Sequence, residues 1–310
     1  MGGRKPAVEN MVEQTDLDHV LDHTRDLWEE LRGERLFITG GTGFIGSWLL
    51  DTFEYINDKL NLNASAVVLT RGQHDARPGI SFHPGDVRTF IPPRGEFPFV
   101  IHGAVESSTD TYLADQFDVI TRGTNRVLSF SELAGTKRLL FLSSGAVYSG
   151  TSSYAEGKRI GQIMCSFSPV PSMIARLFCF VGPYQPLDSH FAIGNFIRDG
   201  LAGGPIRVSG GGMVQRSYLY AADLAIWLWT ILFRGAPGQP YNVGSEDVVT
   251  IEELAHRVAE AFHPAVKVEI TPGSVSDRYV PPSVAGATQL GLRQWIGLDD
   301  AIGRTIRWHS

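Results

Sequence analysis

Residues 36–48 read LFITGGTGFIGSW, and this stretch decides the fold of the chain. The segment Leu36–Thr39 is a short apolar run of the kind that forms a buried strand. Glycines interrupt it, and from Phe44 to Ile56 the apolar residues recur at helical spacing. A buried strand, a glycine turn and a helix in this order predict the opening of a parallel α/β sheet.

Further apolar runs of strand length follow along the chain, with stretches of helical pattern between several of them. These runs are Ala66–Leu69, Phe99–His102, Leu139–Leu142 and Met173–Phe178. Strands that alternate with helices predict a doubly wound parallel sheet with right-handed crossovers. We therefore assign residues 35–182 to a Rossmann domain of the α/β class, with return segments near residues 216–245.

The chain on either side of this domain has a different pattern. Residues 1–34 carry apolar positions at helical spacing before Gly33, which predicts an amphipathic N-terminal helical extension. We expect this helix to pack on the domain behind it, with binding of a partner as the alternative. Residues 183–310 begin with many glycines and prolines, which predicts a smaller, loop-rich C-terminal lobe that binds substrate.

Composition narrows the classes of function. With 310 residues and 43% hydrophobic content the chain can bury a large core, and its net charge of -6 excludes a broad basic surface for nucleic acid. The longest strongly apolar run, Leu224–Phe233, falls short of the roughly 20 residues of a membrane-spanning helix. The start of the chain lacks the pattern of an export signal, and two cysteines form neither a disulfide framework nor a zinc site. We expect a cytoplasmic protein without a metal, a membrane or a nucleic-acid partner.

Glycine is the most unusual component, with 34 residues or about 11% of the chain against a typical value of about 7%. Gly40 permits a tight turn, Gly43 lets the backbone approach a pyrophosphate, and Gly46 lets the helix and strand pack closely. Phe44 and Ile45 begin the helix, whose N-terminus favours anions. The pattern predicts binding of NAD(P), with a purely structural turn as the alternative.

The tip of the second strand distinguishes the two cofactors. A carboxylate there binds the 2′-hydroxyl of NAD, whereas an arginine receives the 2′-phosphate of NADP. This chain has Thr70 and Arg71 at the tip, so we predict NADP. NAD is the alternative, since Arg71 could equally be a solvated loop residue. The residues that follow the fourth strand, and are expected under the dinucleotide, are His102, Gly103 and Ala104.

A tyrosine and a lysine four residues apart form the candidate catalytic pair. Tyr154 and Lys158 share one face of a helix. A tyrosine becomes a useful acid or base when a positive charge stabilises its phenolate, and Lys158 with an oxidised nicotinamide ring supplies that charge. Ser144, which leaves the strand ending at Leu142, can hydrogen-bond the reacting substrate oxygen. A surface pair is the alternative for this spacing, and the glycine turn and Ser144 upstream of it favour catalysis.

These motifs are similar to those of a known family. From about Arg35 to Leu292 the chain resembles the nucleotide-sugar epimerase/dehydratase family of the extended short-chain dehydrogenases/reductases. The segments that carry the resemblance are Gly40–Gly46, Ser143–Tyr148, Tyr154 with Lys158, Arg176–Pro183, Gln215–Tyr220 with Asp223, and Tyr241–Gly244.

The resemblance implies further site residues and a partner. Asp86, followed by Val87, lies where related enzymes place an acid beside the adenine. Arg216 and Arg278 would bind the diphosphate, since guanidinium groups match phosphate oxygens, and ordinary ion pairs are the alternative. The other substrate-binding residues are Ser144 and Asn195. The family also implies a homodimer, through the helix around residues 115–134 and the helix of the catalytic tyrosine.

Several positions depart from the family pattern. Gly145 and Ala146 stand where dehydratases carry an acidic pair after the catalytic serine or threonine, so 4,6-dehydration lacks its expected proton donor. Cys179 stands where an asparagine is common. Ser144 and Tyr154 are only ten positions apart, whereas family members have a longer, substrate-facing loop between them.

The resemblance and these residues predict an NAD(P)-dependent oxidoreductase of carbohydrate biosynthesis that moves a hydride at C4 of a nucleotide-diphosphate sugar. The preference for NADP and the missing acidic pair favour a 4-ketoreductase. The first alternative is a 4-epimerase, an isomerase that keeps NAD tightly bound and returns the hydride to the opposite face. The second alternative, suggested by the short loop, is a cofactor-binding protein with little catalytic activity.

Overall fold

A sheet of parallel strands forms the centre of the computed structural model, which describes residues 12–105, 113–189 and 191–310. The expectation about an export signal concerns residues that lie outside these ranges. Numbered in chain order, the strands of the central sheet are β1 (Arg35–Thr39), β2 (Ser65–Thr70), β3 (Ile80–Pro84), β4 (Phe99–His102), β5 (Arg138–Ser144), β6 (Ser172–Leu177) and β10 (Pro240–Val243). Their spatial order is β10-β6-β5-β4-β1-β2-β3, which confirms the doubly wound α/β fold.

Helices cover both faces of the central sheet because its buried strands are apolar on both sides. In β1, Leu36 and Ile38 pack in one hydrophobic cluster and Phe37 packs in the other. The α-helices of the described residues are α1 (Gln14–Thr24), α2 (Phe44–Lys59), α3 (Leu113–Leu133), α4 (Ser153–Phe167), α5 (Ala192–Leu201), α6 (Ala221–Arg234), α7 (Ile251–Glu260), α8 (Ala285–Thr288) and α9 (Leu298–His309). The first cluster includes residues of α1, α2 and α6, and the second includes residues of α3 and α4.

The order of the strands places a crevice at the carboxyl ends of β1 and β4. The chain runs outward from β1 through β2 to β3, and then returns to β4 on the other side of β1. Thr39 and His102, the last residues of β1 and β4, are register partners. In sheets of this type ligands bind at this topological switch point.

A second, smaller sheet extends the fold beyond the carboxyl end of β6. It contains β7 (Cys179–Val181), β9 (Gln215–Tyr220), β11 (Val248–Thr250) and β13 (Arg278–Tyr279), while β8 (Ile206–Val208) pairs with β12 (Val268–Ile270). Only Phe178 separates β6 from β7, so the small sheet lies beside the end of the central one. Strand β9 pairs with β13 and thereby brings residues 278–279 beside residues 215–216.

The N-terminal segment packs on the domain, which confirms the expectation for its described part. Val20 of α1 and Trp28 of the following 3-10 helix are fully buried, and the Trp28 ring lies 4.7 Å from that of Trp229 in α6. The carboxylate of Asp16 accepts hydrogen bonds from Tyr220 at 2.5 Å and from Arg304 at 2.5 Å. Within the described residues, no helix combines the length and apolar character needed to cross a membrane.

Candidate active site

The glycine turn between β1 and α2 is held in place by close backbone contacts. Gly40 has φ of +77°, which favours glycine, and a Cβ there would lie 2.6 Å from the carbonyl carbon of Gly103. A Cβ at Gly46 would lie 2.3 Å from the carbonyl oxygen of Gly40. Gly43 differs, because a Cβ there would meet its nearest neighbour at 3.7 Å. Gly40 and Gly46 therefore serve packing, and Gly43 leaves space above the turn.

The first turn of α2 faces the crevice without a side-chain cap. Gly43 is the N-cap residue and carries no side chain that could bond the amides of Phe44 and Ile45. Unpaired amides and the positive end of the helix dipole attract anions. The turn therefore fits the pyrophosphate of a dinucleotide, as the sequence predicts.

One cleft joins this turn to the ends of β2, β3 and β4. The predicted cofactor residues that line it are Gly40, Arg71, Asp86, Val87 and Ala104. Asp86 is engaged by Arg88, whose Nε and Nη2 donate to its carboxylate at 2.9 and 2.8 Å. These bonds lower the pKa of Asp86 to about 2, so it stays ionised at neutral pH. Asp86 lies at the cleft but is held by an arginine, which sequence spacing did not predict.

The side chain of His102 does not line the cleft, and the contact of this segment with the dinucleotide stays a prediction. The His102 ring is buried, with Nδ1 2.7 Å from Thr39 Oγ1 and Nε2 3.0 Å from Thr124 Oγ1. Burial lowers the pKa of His102 to about 3, which keeps the ring neutral. The buried ring of His102 therefore lies between Thr39 at the end of β1 and Thr124 of α3. The backbone of Gly103 lies against Gly40.

The three predicted catalytic residues come together where β5 ends and α4 begins. Ser144 is the last residue of β5, and its hydroxyl lies near the phenol of Tyr154 and lowers the pKa of that phenol. Ser152 caps α4 by accepting from the amide of Ala155 at 3.2 Å, so the helix begins beside Tyr154. Lys158 is buried one turn later and donates from Nζ to the carbonyl oxygen of Leu142 at 2.6 Å.

Burial dominates the electrostatics of this group in the chain itself, and stabilisation of the Tyr154 phenolate by Lys158 with an oxidised nicotinamide ring stays a prediction. Burial raises the pKa of Tyr154, and the hydrogen bond from Ser144 offsets only part of that increase. Burial also lowers the pKa of Lys158 to about 8. The Lys158 Nζ lies 5.8 Å from the centre of the Tyr154 ring and is bonded to a backbone carbonyl. Tyr154 is therefore a protonated phenol at neutral pH.

The short connection between Ser144 and Tyr154 is a compact turn. Arg159 of α4 donates to the carbonyl oxygens of Val147 and Gly150, at 2.8 and 2.7 Å. The amide of Gly150 also donates to a carbonyl oxygen, that of Ala146, at 2.8 Å. Ten positions are therefore enough to bring the serine and tyrosine together.

The position of the missing acidic pair is occupied by an aromatic ring. A Cβ at Gly145 would lie 2.5 Å from Cε1 of Phe178, so no side chain fits there in this arrangement. The amide of Ala146 donates to the Ser144 hydroxyl at 3.1 Å. The absence of a side chain at Gly145, directly after Ser144, is therefore built into the packing of the site.

Sequence reasoning missed Tyr279, which contributes a second phenol to the site. Its hydroxyl lies 3.1 Å from Ser144 Oγ and donates to the carbonyl oxygen of Leu177 at 3.3 Å. Its ring centre lies 5.1 Å from that of Phe178. The two hydroxyls are 135 positions apart in the chain, so no local spacing could reveal this contact.

The structure separates the predicted substrate residues. Arg216 forms an ion pair with Asp277 at 2.9 Å, and its guanidinium lies 5.9 Å from the centre of the Tyr279 ring. Arg278 is exposed, is the register partner of Gln215 and donates to its side chain. The two arginines are thus on neighbouring strands but one residue out of register.

Asn195 and Cys179 are the two remaining residues that the sequence singled out. Asn195 is in α5 and accepts a hydrogen bond from Arg198 at 3.0 Å, one turn along the same helix. Its contact with substrate stays a prediction. Cys179 begins β7, and burial raises the pKa of its thiol to about 12, so the residue in place of the expected asparagine is an uncharged thiol.

Comparison with known proteins places this geometry in a family. A model of the NAD dependent epimerase/dehydratase family matches residues 36–244. UDP-glucuronic acid decarboxylase 6 of Arabidopsis thaliana is 27% identical over 289 residues, which cover 83% of this chain and 82% of that protein.

Solved structures show the same fold at lower identity. An epimerase of the methanogen Methanothermobacter thermautotrophicus matches with a TM-score of 0.76 at 20% identity, covering 93% of this chain and 94% of that chain. The Bordetella bronchiseptica enzyme WbmF, in complex with NAD+ and UDP, matches with a TM-score of 0.77 at 20% identity, covering 90% of this chain and 93% of that chain.

Proposed function

The chain belongs to the NAD-dependent epimerase/dehydratase family, and from its site we propose that it reduces a 4-keto group of a nucleotide-diphosphate sugar. The observation that carries this proposal is the contact of Tyr154 with Ser144 beside a position where Phe178 leaves no room for an acidic side chain. Reduction of a ketone needs one proton donor and one hydride. Dehydration needs a further acid.

The chemistry of Tyr154 suits the reductive direction. When bound, the nicotinamide cofactor supplies the hydride. Tyr154 donates a proton to the sugar oxygen at C4, and Ser144 orients that oxygen with a second hydrogen bond. Because burial raises the pKa of Tyr154, the phenol holds its proton at neutral pH and is ready to act as the acid.

The experiment is turnover of a 4-keto sugar by the full chain. We expect NADPH to be consumed when UDP-4-keto-6-deoxyglucose or its dTDP counterpart is added, and Tyr154→Phe to lower kcat by about 100-fold or more. Tyr148→Phe is the matched control, because the Tyr148 hydroxyl bonds Asn242 at 2.8 Å rather than Ser144. An unchanged kcat in Tyr154→Phe would show that the catalytic assignment is wrong.

The same assay separates the alternatives. A protein that retains its cofactor through purification, and interconverts C4 epimers without added cofactor, is an epimerase. A protein that binds NADPH but turns over neither class of sugar is a cofactor-binding protein. The compact turn held by Arg159 argues against that last alternative, because it keeps Ser144 and Tyr154 together.

For the cofactor, we propose NADP on the strength of Arg71. It lines the cleft at the end of β2, where Thr70 is the last strand residue. We expect NADPH to bind more tightly than NADH, and Arg71→Gln to weaken NADPH by about tenfold while leaving NADH unchanged. Arg25→Gln, in the exposed part of the N-terminal segment, is the control. Tighter binding of NADH by the wild type would identify NAD as the cofactor.

We also propose a homodimer, because α4 presents an apolar stripe that nothing in the described chain covers. Phe167 and Ile163 of α4 are 87% and 56% exposed, and Leu133 at the end of α3 is 87% exposed. Such a stripe suits burial against a second copy. We expect a dimer in sedimentation, and a monomer for Phe167→Asp. Ile91→Asp, at a 79% exposed site in the loop between β3 and β4, should stay dimeric, and a monomeric wild type would reject the proposal.

A further inference from the structure

The Ser144 hydroxyl has two hydrogen-bonding neighbours of measured distance. A serine hydroxyl donates one hydrogen bond and accepts two. Ser144 accepts from the amide of Ala146 at 3.1 Å, and its oxygen lies 3.1 Å from the Tyr279 hydroxyl. The direction of the bond between Ser144 and Tyr279 therefore decides where the single proton of Ser144 points.

The direction of these bonds follows from the single proton of Tyr279. That phenol donates to the carbonyl oxygen of Leu177, so toward Ser144 it can only accept. Ser144 must then donate to Tyr279. The chain of donation runs from Ser144 to Tyr279 and ends on Leu177. In this arrangement Ser144 has no proton left for a substrate.

The bond that ends the chain is the weakest. Tyr279 Oη lies 3.3 Å from the Leu177 oxygen, beyond the usual range for a hydroxyl donor, and 3.1 Å from Ser144 Oγ. A phenolic proton rotates about its C–O bond without moving the ring. Tyr279 can therefore turn its proton from Leu177 to Ser144 at small cost.

The ring of Tyr279 is fixed while its proton is free to turn. Strand pairing between β13 and β9 holds its backbone, and the Phe178 ring and the Arg216 guanidinium lie against its ring. Burial raises the pKa of Tyr279, so the phenol keeps its proton. It can act as a donor and not as a base.

We propose that Tyr279 is a positioning residue that aims the Ser144 proton at the substrate carbonyl. When that carbonyl oxygen reaches Tyr154 and Ser144, Tyr279 turns its proton toward Ser144. Ser144 then accepts from Ala146 and Tyr279, and its own proton points at the substrate oxygen beside that of Tyr154. No covalent bond changes in this step. The inference rests on the proposed ketoreduction and adds a residue that acts through Ser144.

The test compares Tyr279→Phe with wild type in the presence and absence of Ser144. Phenylalanine keeps the ring against Phe178 and removes only the hydroxyl. We expect kcat to fall roughly fivefold, the value of one hydrogen bond, with KM changed less than about twofold. In a Ser144→Ala background, Tyr279→Phe should have no further effect on kcat, because the group through which it acts is gone.

The controls separate positioning from folding. Tyr148 also has its ring near Phe178, at 6.4 Å between ring centres, but its hydroxyl bonds Asn242, so Tyr148→Phe should keep wild-type kcat. Calorimetric binding of UDP, the thermal midpoint and NADPH affinity should be the same for Tyr279→Phe and wild type. A wild-type kcat in Tyr279→Phe, or an equal loss with and without Ser144, overturns this inference alone. A wild-type chain that reduces no 4-keto sugar overturns the proposed function and this inference with it.

Discussion

The crevice has a cofactor half around the glycine turn at Gly40–Gly46 and a catalytic half around Ser144 and Tyr154. The two halves differ in whether backbone or side chains form them. The cofactor half is made of backbone, with Gly40 in contact with Gly46 in the same turn and with Gly103 just after β4. The catalytic half is made of side chains, with Ser144 and Tyr279 brought together across 135 positions. A site made of consecutive backbone has a sequence signature. A site made of side chains from distant strands becomes visible only when the strands pair.

The largest effect on stability and cofactor binding is expected for Gly46→Ala, because backbone atoms pack directly against backbone atoms at this position. In Gly46→Ala the new Cβ would lie 2.3 Å from the Gly40 oxygen and 2.5 Å from the Gly41 carbonyl carbon, and neither atom can move aside freely. We expect a loss of about 1–3 kcal/mol in the free energy of unfolding, together with loss of NADPH binding. Urea unfolding and NADPH fluorescence titration measure the two effects.

Gly43→Ala is the matched control within the same turn. Its Cβ would have 3.7 Å of space, so stability should change by less than about 1 kcal/mol. NADPH affinity should still fall, because the methyl group occupies the path of a pyrophosphate to the backbone. If Gly43→Ala kept the affinity of wild type, the turn would not be the pyrophosphate site.

The contrast between the two halves explains which features of the fold and the site could be predicted from the sequence. The glycine turn was predicted from the local pattern around residues 36–56, and the doubly wound fold from apolar runs that alternate with helical stretches along the chain. The group of Ser144, Tyr154 and Lys158 was predicted because it lies on one strand and the next helix. These predictions need only neighbouring elements.

The features of the site that were not predicted from the sequence depend on tertiary packing. The inward orientation of His102 depends on Thr124, a residue of α3 that faces the end of β4. The raised pKa of Tyr154 depends on burial, which no motif specifies. The role of Phe178 beside Gly145 and the presence of Tyr279 depend on how the small sheet meets the central one.

A medium loss of nucleotide affinity is expected when either of the two arginines of the small sheet, Arg216 or Arg278, is replaced by alanine. The Arg216 side chain is 23% exposed and lies against the Tyr279 ring, whereas Arg278 is exposed. If both bind the diphosphate, Arg216→Ala should weaken UDP by about tenfold, and Arg278→Ala by about threefold because solvent screens its charge. Isothermal titration with UDP measures both.

The control for this comparison is a pair remote from the crevice. Arg257→Ala breaks an exposed ion pair with Asp299 at 3.2 Å and should leave UDP affinity unchanged. An equal and large loss of UDP affinity in both variants would mean that both arginines contact the bound nucleotide equally, although they are one residue out of register. No loss for Arg216→Ala would place the diphosphate elsewhere.

The smallest effect at neutral pH is expected for His102, which is buried beneath the cofactor half. Through this residue, acid should lower the free energy of unfolding. The pKa of His102 is about 3 in the folded chain and about 6.5 in an unfolded one, so the unfolded chain takes up a proton first. This group therefore contributes stability that is fully present above about pH 6.5 and is lost as pH falls toward about 3. The slope reaches up to about 1.4 kcal/mol per pH unit.

His102→Gln tests this buried ring directly. Glutamine keeps polar atoms near Thr39 and Thr124 but does not titrate, so the variant should be less stable at pH 7 and show a flatter loss between pH 6.5 and 3. Urea unfolding at several pH values measures the slope for both chains. The carboxylate of Asp86 contributes its own loss below about pH 4, as pH falls toward its pKa of about 2, and that part should remain in the variant. Equal slopes above pH 4 in the two chains would show that acid acts on the cofactor half through another group.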